Sequence, residues 1–388
     1  MLSFLGSFLM ISQPLFWIYL LIQFNIFIFL TNRVGFRPRY RIQETLWTLI
    51  WTAITLVVQV IPSCLLAGHW DFTPSGWESV PLGWKFFAAA SSLSVAAYWL
   101  EYFSWTIFRR KPVEVRILSR KDLAIPPRFK APFAFLKAVG FENQIYQPEV
   151  VEYEVKLPHW PKEFSGLSIV QLSDIHYGKY INLDYLKLLV ETAKKMKPDI
   201  FALTGDFISF RKHAPAMKGL FRGLKAPLGV YALLGNHDYW SDPEGLRRIL
   251  ERDGVRVLRN EVVVLKRKKK TLAIMGVDDL WEGQKNEKPI LQAKADAKIL
   301  LAHHPDHFYL AKKTKTHLQI SGHCHGGQIG FPLWGPLIIP AVTGRKYVAG
   351  FVREGDATLF ANRGIGGYPP LRTYCKPEIV KLILLSDS

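Results

Sequence analysis

The stretch LSIVQLSDIHYG, residues 167–178, is a short apolar run that leads into two side chains able to bind metal ions. The run LSIVQLS has the pattern of a buried β-strand. Asp174 and His176 stand two apart just after it, and the alternation of a strand turns both side chains to the same face. A carboxylate and a neutral imidazole so placed can bind one divalent ion, although an Asp-x-His pair also occurs by chance.

Four further apolar runs end in the same way. The polar residues that follow them are Asp206 in LTGDF; Asn236, His237 and Asp238 in LLGNHDYW; His303 and His304 in LLAHHPDH; and His323 and His325 in ISGHCHGG. In open α/β sheets, sites gather beyond the carboxyl ends of the strands. Five such strand ends in succession therefore predict one metal site.

The order of the elements predicts a layered α/β domain from residue 149 onward. Short apolar strands alternate with helical segments, and Asn182 is predicted to cap a helix with periodic apolar positions. Cys324 lies between two of the histidines, but a zinc knuckle would need more Cys and His nearby. Cys64 and Cys375 are distant in sequence, so neither a disulfide framework nor a redox pair is indicated.

The motif series resembles that of the calcineurin-like metallophosphoesterase family, which is D-x-H, G-D, G-N-H-D, H and G-H-x-H. All five occur here in order, as DIH, GD, GNHD, AHHPD and GHCH, within residues 149–388. The stretches HHPD and GHCHGGQI and the tail NRGIGGYPPLRTYCKPEIV resemble the membrane-associated bacterial branch, which includes calcium-independent UDP-2,3-diacylglucosamine pyrophosphatases. The resemblance implies a four-layer α/β/β/α catalytic domain and a hydrolase.

The resemblance also implies residue roles. The first ion would take Asp174, His176, Asp206 and His325, and the second would take Asp206, Asn236, His303 and His323, with Asp206 shared. His303 is preferred to His304 only because of the family's H-x-P-D pattern. His237 would stabilise charge or protonate the leaving group, and Asp238 would orient its ring. His304, Arg363 and Arg372 are candidates for substrate binding, although each arginine could instead pair with a structural carboxylate.

The ligand types suit two hard or borderline divalent ions, with Mn²⁺ preferred and iron, zinc or magnesium as alternatives. Two such ions polarise phosphoryl oxygens and lower the pKa of a water molecule. Asp278 and Asp279 in MGVDDLW also follow a strand, where they would line the pocket or cap the loop.

Residues 1–110 are predicted to be a transmembrane region with about three helices. Residues 1–32 and 45–68 contain no charged side chain, and 82–108 is a weaker third candidate span. A hairpin within 1–32 would make four spans. Basic residues crowd the first connection and follow the third span, which predicts a retained, multi-pass protein of the inner membrane with its catalytic domain in the cytoplasm.

Residues 111–148 are basic and are predicted to be an interfacial linker, within a chain of net charge +18. No recognition helix or aromatic-basic repeat indicates nucleic-acid binding, and no protein partner is inferred. The expected partners are the lipid bilayer and a lipid-linked or nucleotide-containing phosphate substrate. UDP-2,3-diacylglucosamine, cleaved to 2,3-diacylglucosamine 1-phosphate and UMP in lipid A biosynthesis, is the specific candidate. The alternatives are a general phosphodiesterase or nuclease, and a non-catalytic membrane scaffold with a structural metal site.

Overall fold

The computed structural model describes residues 111–331, 335–336 and 339–387, together with scattered positions between 78 and 107. The chain divides into two units, Met1–Phe108 and Arg109–Ser388, and the five motifs all lie in the second. Among the described residues, no helix combines the length and the apolar character needed to cross a bilayer. The predicted spans at 1–32 and 45–68 lie outside the described residues, and the span at 82–108 is described only at scattered positions.

The described part of the second unit is built mainly from strands. In chain order they are β1 (Val115–Asp122), β2 (Glu149–Leu157), β3 (Leu167–Leu172), β4 (Ile200–Thr204), β5 (Val230–Leu233), β6 (Arg256–Val257), β7 (Glu261–Arg267), β8 (Lys270–Gly276), β9 (Ala297–Leu301), β10 (Leu318–Ser321), β11 (Gly330–Phe331), β12 (Gly335–Pro336), β13 (Gly350–Glu354), β14 (Ala357–Ala361) and β15 (Glu378–Ser386). The α-helices are α1 (Leu183–Lys195), α2 (Asn236–Tyr239), α3 (Pro243–Arg252), α4 (Lys288–Leu291) and α5 (Phe308–Lys313).

The longer strands form two sheets. The first has seven strands in the order β1-β2-β15-β3-β4-β5-β6, and the second has six in the order β13-β14-β10-β9-β8-β7. In the first sheet β3, β4, β5 and β6 run parallel. In the second sheet β8, β9, β10 and β14 run parallel. Because parallel neighbours end at the same edge, each sheet presents one edge of loops that follow strand ends.

Both faces of the first sheet are buried along β3. Along β3, Leu167 and Ile169 pack into the core shared with strands of the second sheet, whereas Val170 and Leu172 pack into a core with α1. This alternation follows from the two-residue period of a strand. It explains why LSIVQL is apolar at nearly every position, as is typical of a sheet covered on both sides. The domain is therefore a mixed α/β fold.

Helix α1 confirms the predicted cap. It begins at Leu183, and the side chain of Asn182 accepts a hydrogen bond from the backbone N–H of Tyr185 at 3.0 Å. The apolar positions of α1, including Leu186 and Leu189, are buried against the first sheet. This helix fixes the connection between β3 and β4, the two strands that carry the first motifs.

The segment predicted as a basic linker, 111–148, contains a strand. Residues Val115–Asp122 form β1, which pairs antiparallel with β2 at the edge of the first sheet. Its residues are mostly exposed, so its sequence lacks the apolar face by which a buried strand is recognised. The prediction that residues 111–148 form an interfacial linker stays a prediction, with β1 as a strand inside the segment.

Candidate metal centre

The polar residues of the five motifs lie at the loop edges of the two sheets. Asp174 and His176 follow β3, Asp206 follows β4, and Asn236 begins the short helix α2 after β5. From the second sheet, His303 follows β9, and His323 and His325 follow β10. All seven side chains are buried. The two edges therefore bring residues more than a hundred positions apart into one site.

Asp174, His176, Asp206 and His325 form the first group. Each offers one ligand atom, and these four atoms lie within 4.8 Å of one another. The Nε2 atoms of His176 and His325 are 3.0 Å apart, and His325 Nε2 is 3.3 Å from Asp174 Oδ1. Two imidazoles and two carboxylates converging at such distances, in a buried site, have the arrangement of a metal chelate.

The second group consists of His303, His304 and His323, whose ligand atoms also lie within 4.8 Å of one another, and His303 brings it next to Asp206 of the first group. His303 Nε2 is 3.3 Å from Asp206 Oδ2, while His176 Nε2 approaches the same oxygen at 3.5 Å. The carboxylate of Asp206 thus lies between the two groups. Asn236 is buried at the start of α2, and the preceding Gly235 is packed so closely that an added Cβ would clash with Asp206 Oδ1 and lie 2.7 Å from His303 Nε2.

Hydrogen bonds to the far side of the rings fix which nitrogen faces the site. His303 Nδ1 is 2.7 Å from the carbonyl oxygen of Thr204, so Nδ1 donates and Nε2 is left facing Asp206. His323 Nε2 is 2.6 Å from the carbonyl oxygen of Pro340, so its Nδ1 is the free nitrogen. Such outer hydrogen bonds are the usual way in which proteins set the tautomer and orientation of metal-binding imidazoles.

The backbone at the site is strained. Five of the seven predicted ligands adopt left-handed conformations, namely Asp174 (φ 52°), His176 (φ 50°), Asp206 (φ 56°), His323 (φ 67°) and His325 (φ 50°). Residues other than glycine adopt this conformation rarely, and such outliers cluster at functional sites. The carboxylates are held further by backbone amides, since His323 N–H donates to Asp174 Oδ1 at 2.9 Å and His237 N–H donates to Asp206 Oδ1 at 3.0 Å.

Asp206 and His303 form a buried charge pair. Burial disfavours the charged form of both side chains, but their attraction, with contributions from neighbouring groups, outweighs it. As a result the pKa of His303 is raised to about 10, and the pKa of Asp206 is held well below its usual range. A divalent ion bound at this point would take the place of the proton on His303.

These residues fit divalent ions. Asp174 Oδ2, Asn236 Oδ1 and His303 Nε2 are buried and have no hydrogen-bond partner within the described part of the chain. A buried polar atom without a partner is costly, and a bound cation would satisfy an oxygen or an imidazole nitrogen of this kind. The donors are oxygen and imidazole nitrogen without thiolate, in agreement with the predicted class of metal.

His237 lies at the accessible side of the site. Its ring is only partly buried, and it stands edge-on to the ring of His176, with centroids 4.7 Å apart. The rings of Trp240 and Tyr368 are also next to it, at centroid distances of 4.8 Å and 5.9 Å. A partly exposed imidazole beside the ion-binding groups can reach a bound substrate.

Asp238 has a different role from the expected one. Its Oδ1 accepts hydrogen bonds from the backbone N–H groups of Phe207 (2.9 Å) and Ile208 (3.2 Å), and its Oδ2 accepts one from Gly235 (2.9 Å). These bonds join the loop after β4 to the loop after β5. The expectation that Asp238 orients the ring of His237 is corrected, because both of its oxygens are engaged by backbone amides.

His304 is not placed to bind substrate. It has no exposed surface, and its ring packs between Trp281 and His323, with centroid distances of 4.6 Å and 3.7 Å. Its Nε2 lies 3.0 Å from Asp279 Oδ2, without the alignment of a hydrogen bond. Asp279 also accepts the backbone N–H of Trp281 at 2.9 Å, which agrees with the predicted capping role.

The two arginines expected to bind phosphate have structural partners instead. Arg363 is paired with Glu149 and Glu378, each at 2.7 Å. Arg372 is completely buried and donates to backbone carbonyls, including those of Gly366 at 2.7 Å and His325 at 3.3 Å. Both guanidinium groups are therefore engaged by groups of the protein itself, and for Arg363 this is the alternative of a structural carboxylate.

Sequence reasoning missed Phe210 and Tyr368 near His237, and Trp281 beside His323. Phe210 and Tyr368 are in edge-on contact, with centroids 5.6 Å apart, and Trp281 stands perpendicular to His323 at 4.8 Å. Each of these aromatic residues follows a motif or a turn by several residues. Their presence within otherwise polar loops was the one available sign in the sequence that they lie near the site.

Comparison with known proteins agrees with this site. A family model described as calcineurin-like phosphoesterase matches residues 167–327, the span that contains all five motifs. The uncharacterized metallophosphoesterase YkuE of Bacillus subtilis is 35% identical over 62% of this chain and 86% of its own length. A zebrafish (Danio rerio) transmembrane protein with metallophosphoesterase domain is 29% identical over 65% of this chain and 60% of its own length.

A further relative is the UDP-2,3-diacylglucosamine pyrophosphatase LpxG of Chlamydia muridarum, which is 28% identical over 56% of this chain and 84% of its own length. The relatives align with more than half of this chain and are named as phosphate-ester or pyrophosphate hydrolases or after that domain. Given the identity to YkuE across most of that protein, the chain belongs to the calcineurin-like phosphoesterase family and is a metal-dependent hydrolase.

Proposed function

We propose that this phosphoesterase is anchored in a membrane and hydrolyses a phosphodiester or pyrophosphate bond in a lipid-linked substrate, using two divalent ions. Asp174, His176, Asp206 and His325 would hold the first ion, and Asp206, Asn236, His303 and His323 would hold the second. The observation that carries the proposal is the position of Asp206 Oδ2, within 3.5 Å of His176 and 3.3 Å of His303. We propose Mn²⁺ as the metal and the four-layer α/β/β/α arrangement as the complete fold.

The bound ions would supply Lewis acidity toward the phosphoryl oxygens and an activated water. The side chains of the protein would supply proton donation and positioning. His237 is partly exposed beside the first group and would donate a proton to the leaving oxygen. Asp238 holds the loop of His237 against the loop of Asp206 and acts as a positioning residue.

Two kinds of observation support the proposal of a lipid-linked substrate. One relative is named a UDP-2,3-diacylglucosamine pyrophosphatase and another is named a transmembrane protein. Uncharged stretches of 32 and 24 residues in the N-terminal region have the length of membrane spans. We therefore propose UDP-2,3-diacylglucosamine as the substrate, with UMP and the lipid 1-phosphate as products for lipid A assembly.

We propose the corresponding division of the chain. Residues 1–110 would form the multi-pass anchor in the inner membrane, 111–148 would lie at its cytoplasmic surface with β1 joined to the sheet, and 149–388 would carry the catalytic site. The basic residues that follow the third predicted span, including Arg109, Arg110 and Lys111, favour this orientation.

The test is mass spectrometry of the products. Detergent-purified full-length protein with Mn²⁺ is incubated with UDP-2,3-diacylglucosamine in oxygen-18 water, next to an Asp206→Ala variant. Labelled product, either UMP or the lipid 1-phosphate, appearing only with the unchanged protein would establish the reaction and identify the phosphorus attacked. No release of UMP by protein that still hydrolyses an aryl phosphodiester would remove the lipid A substrate and keep the phosphoesterase.

A second candidate is a general phosphodiesterase with a non-lipid substrate. It is favoured by the structural contacts of the two arginines expected to bind a diphosphate. Arg363 pairs with a carboxylate and Arg372 donates to backbone carbonyls, so neither is left for the substrate. Hydrolysis of bis(p-nitrophenyl) phosphate without UDP-2,3-diacylglucosamine turnover would support this candidate. Steep salt dependence of binding to DNA or RNA would extend it to a nuclease.

A further inference from the structure

An exposed aromatic and basic surface lies on residues 128–135 of the second unit. Phe133 and Phe135 are 43% and 73% exposed, and their rings stand edge-on to each other with centroids 6.5 Å apart. Arg128 and Lys130 are exposed on the same stretch. These four residues, Arg128, Lys130, Phe133 and Phe135, are called the aromatic-basic patch. Exposed large apolar side chains grouped with charge mark an interaction surface rather than ordinary surface scatter.

The base of the patch is rigidly attached to the domain. The guanidinium of Arg128 lies 5.0 Å from the ring centroid of Phe129. Phe129 in turn packs against Tyr146 and Tyr185, with centroids 5.8 Å and 5.7 Å away. Tyr185 belongs to the buried face of α1. The patch therefore projects from the core of the first sheet and is not a loose tail.

Asn143 joins the patch segment to the tail loop. This buried side chain donates from Nδ2 to the carbonyl oxygens of Pro132 (2.8 Å) and Pro370 (2.9 Å). Its Oδ1 accepts the backbone N–H of Arg372 at 3.0 Å. One fully bonded amide thus fixes the residue before Phe133 to the loop that contains Tyr368.

The tail loop also borders the active site. The ring of Tyr368 is next to that of His237, at 5.9 Å, and Gln328, just after His325, donates to the carbonyl oxygen of Pro369 at 2.6 Å. A short, hydrogen-bonded path therefore runs from Phe133 through Asn143 and the tail loop to the accessible side of His237.

We propose that the aromatic-basic patch is a docking surface for an anionic lipid bilayer, and that docking holds the mouth of the active site at the membrane surface. Phenylalanine side chains enter the headgroup region, and neighbouring Arg and Lys attract anionic lipids. Two projecting rings offer far less contact area than the roughly 800 Å² that each partner buries in a stable protein interface, which favours a bilayer over a protein partner. The inference rests on the proposed function, since it gives a lipid-borne substrate its route to His237.

Photo-cross-linking tests the contact without requiring turnover. The full-length protein, with p-benzoylphenylalanine in place of Phe135, is placed in nanodiscs of one part phosphatidylglycerol to two parts phosphatidylcholine and illuminated. The matched control carries the same residue in place of Leu291, which is 40% exposed on α4. Mass spectrometry should find at least about fivefold more lipid adduct at 135 than at 291, given the apolar burial of one aromatic side chain.

Equal or absent lipid adduct at 135 would overturn the docking surface, as would cross-linking of 135 to a second copy of the chain instead of lipid. Either result stands whether or not the protein hydrolyses a lipid-linked pyrophosphate, so failure of the docking surface is separable from failure of the proposed function.

A double variant, Phe133→Ser with Phe135→Ser, supplies an independent measurement. Its KM for UDP-2,3-diacylglucosamine in the same nanodiscs should rise about tenfold, while hydrolysis of water-soluble bis(p-nitrophenyl) phosphate stays unchanged. Leu291→Ser should alter neither. An unchanged KM in the bilayer, with the soluble reaction also unchanged, would contradict the docking surface.

Discussion

At the scale of single residues, the site separates ion binding from action on the substrate. His237 has its backbone N–H bonded to Asp206 but its ring on the accessible side, next to Tyr368. The seven predicted ligands are buried beneath it. The two functions can therefore be removed separately by mutation.

Replacement of His237 by alanine should lower kcat by about 100-fold or more while both ions remain bound, because it removes a proton donor and no ligand. Steady-state kinetics with an aryl phosphodiester and metal analysis of the same preparation measure the two effects. His159→Ala, at an exposed histidine, serves as control and should change neither. Loss of metal together with activity in His237→Ala would assign His237 to ion binding instead.

The charge pair of His303 and Asp206 makes ion binding depend on pH. The pKa of His303 in the ion-free protein is raised from 6.5 to about 10, so this pair stabilises the fold fully below pH 6.5 and loses its effect as pH rises through about 10. Burial lowers the pKa of His176 and His323 well below the usual value, so these rings are already neutral.

Binding of the second ion should therefore displace about one proton, and Mn²⁺ affinity should rise about tenfold for each pH unit between about pH 6 and 8. Titration of the metal-free protein by calorimetry in buffers of different ionisation enthalpy measures both quantities. Affinity that does not change over this range, with no proton release, would show that the His303 proton does not compete with the ion.

The convergence of the predicted ligand residues can be expected from sequence, because each stands just after an apolar strand. Local order along the chain is enough to place them. The pairing of Arg363 with Glu149 is not predictable in this way, since Glu149 is 214 residues away and reaches it only through the pairing of β2 and β15. The burial of His304 likewise depends on Trp281 and Asp279, which come from another loop.

At the scale of elements, the loops after β4 and β5 are joined by Asp238. Its three backbone hydrogen bonds lie beneath the strained turn at Asp206. Strain of this kind persists only when the surrounding structure holds it. Asp238 is thus the residue through which two strand ends are kept in register for ion binding.

Asp238→Ala should lower the free energy of unfolding by about 2–4 kcal/mol, because three buried N–H groups lose their acceptor. Thermal unfolding of the full-length protein in detergent should show a decrease in Tm of roughly 5–15 °C. Asp184→Ala, at an exposed position in the first turn of α1, is the control and should shift Tm little. An unchanged Tm for Asp238→Ala would remove its positioning role.

Elements with a buried face are predictable and exposed ones are not. Strand β3 and helix α1 can be predicted because their buried apolar residues form a strand-like run in β3 and recur with the helical period in α1. Strand β1, with the sequence VRILSRKD, is mostly exposed and rich in basic residues, so its composition resembles a linker. Its pairing with β2 depends on a neighbour that begins 27 residues later, at Glu149.

At the scale of the whole molecule, the site exists only because two sheets meet. β3, β4 and β5 deliver the ligands of one sheet, and β9 and β10 deliver those of the other. The insertion of β15 between β2 and β3, parallel to one and antiparallel to the other, cannot be inferred from local pattern. The class of fold was predictable, whereas this strand order depends on contacts between the two ends of the domain.

In the proposed mechanism, Asp206 bridges two ions that perform the hydrolysis. The most direct test is metal content by mass spectrometry, together with hydrolysis of bis(p-nitrophenyl) phosphate, for the unchanged protein and for Asp206→Ala. Asp199→Ala, at the opposite end of β4, is the matched control, because Asp199 bonds only to Ser168 among the described side-chain contacts.

The unchanged protein and Asp199→Ala should each bind two ions per chain and hydrolyse the ester. Asp206→Ala should bind fewer than one ion and lose at least about 1,000-fold in kcat/KM, since both ions lose a ligand. Two ions and undiminished hydrolysis in Asp206→Ala would contradict the bridging site.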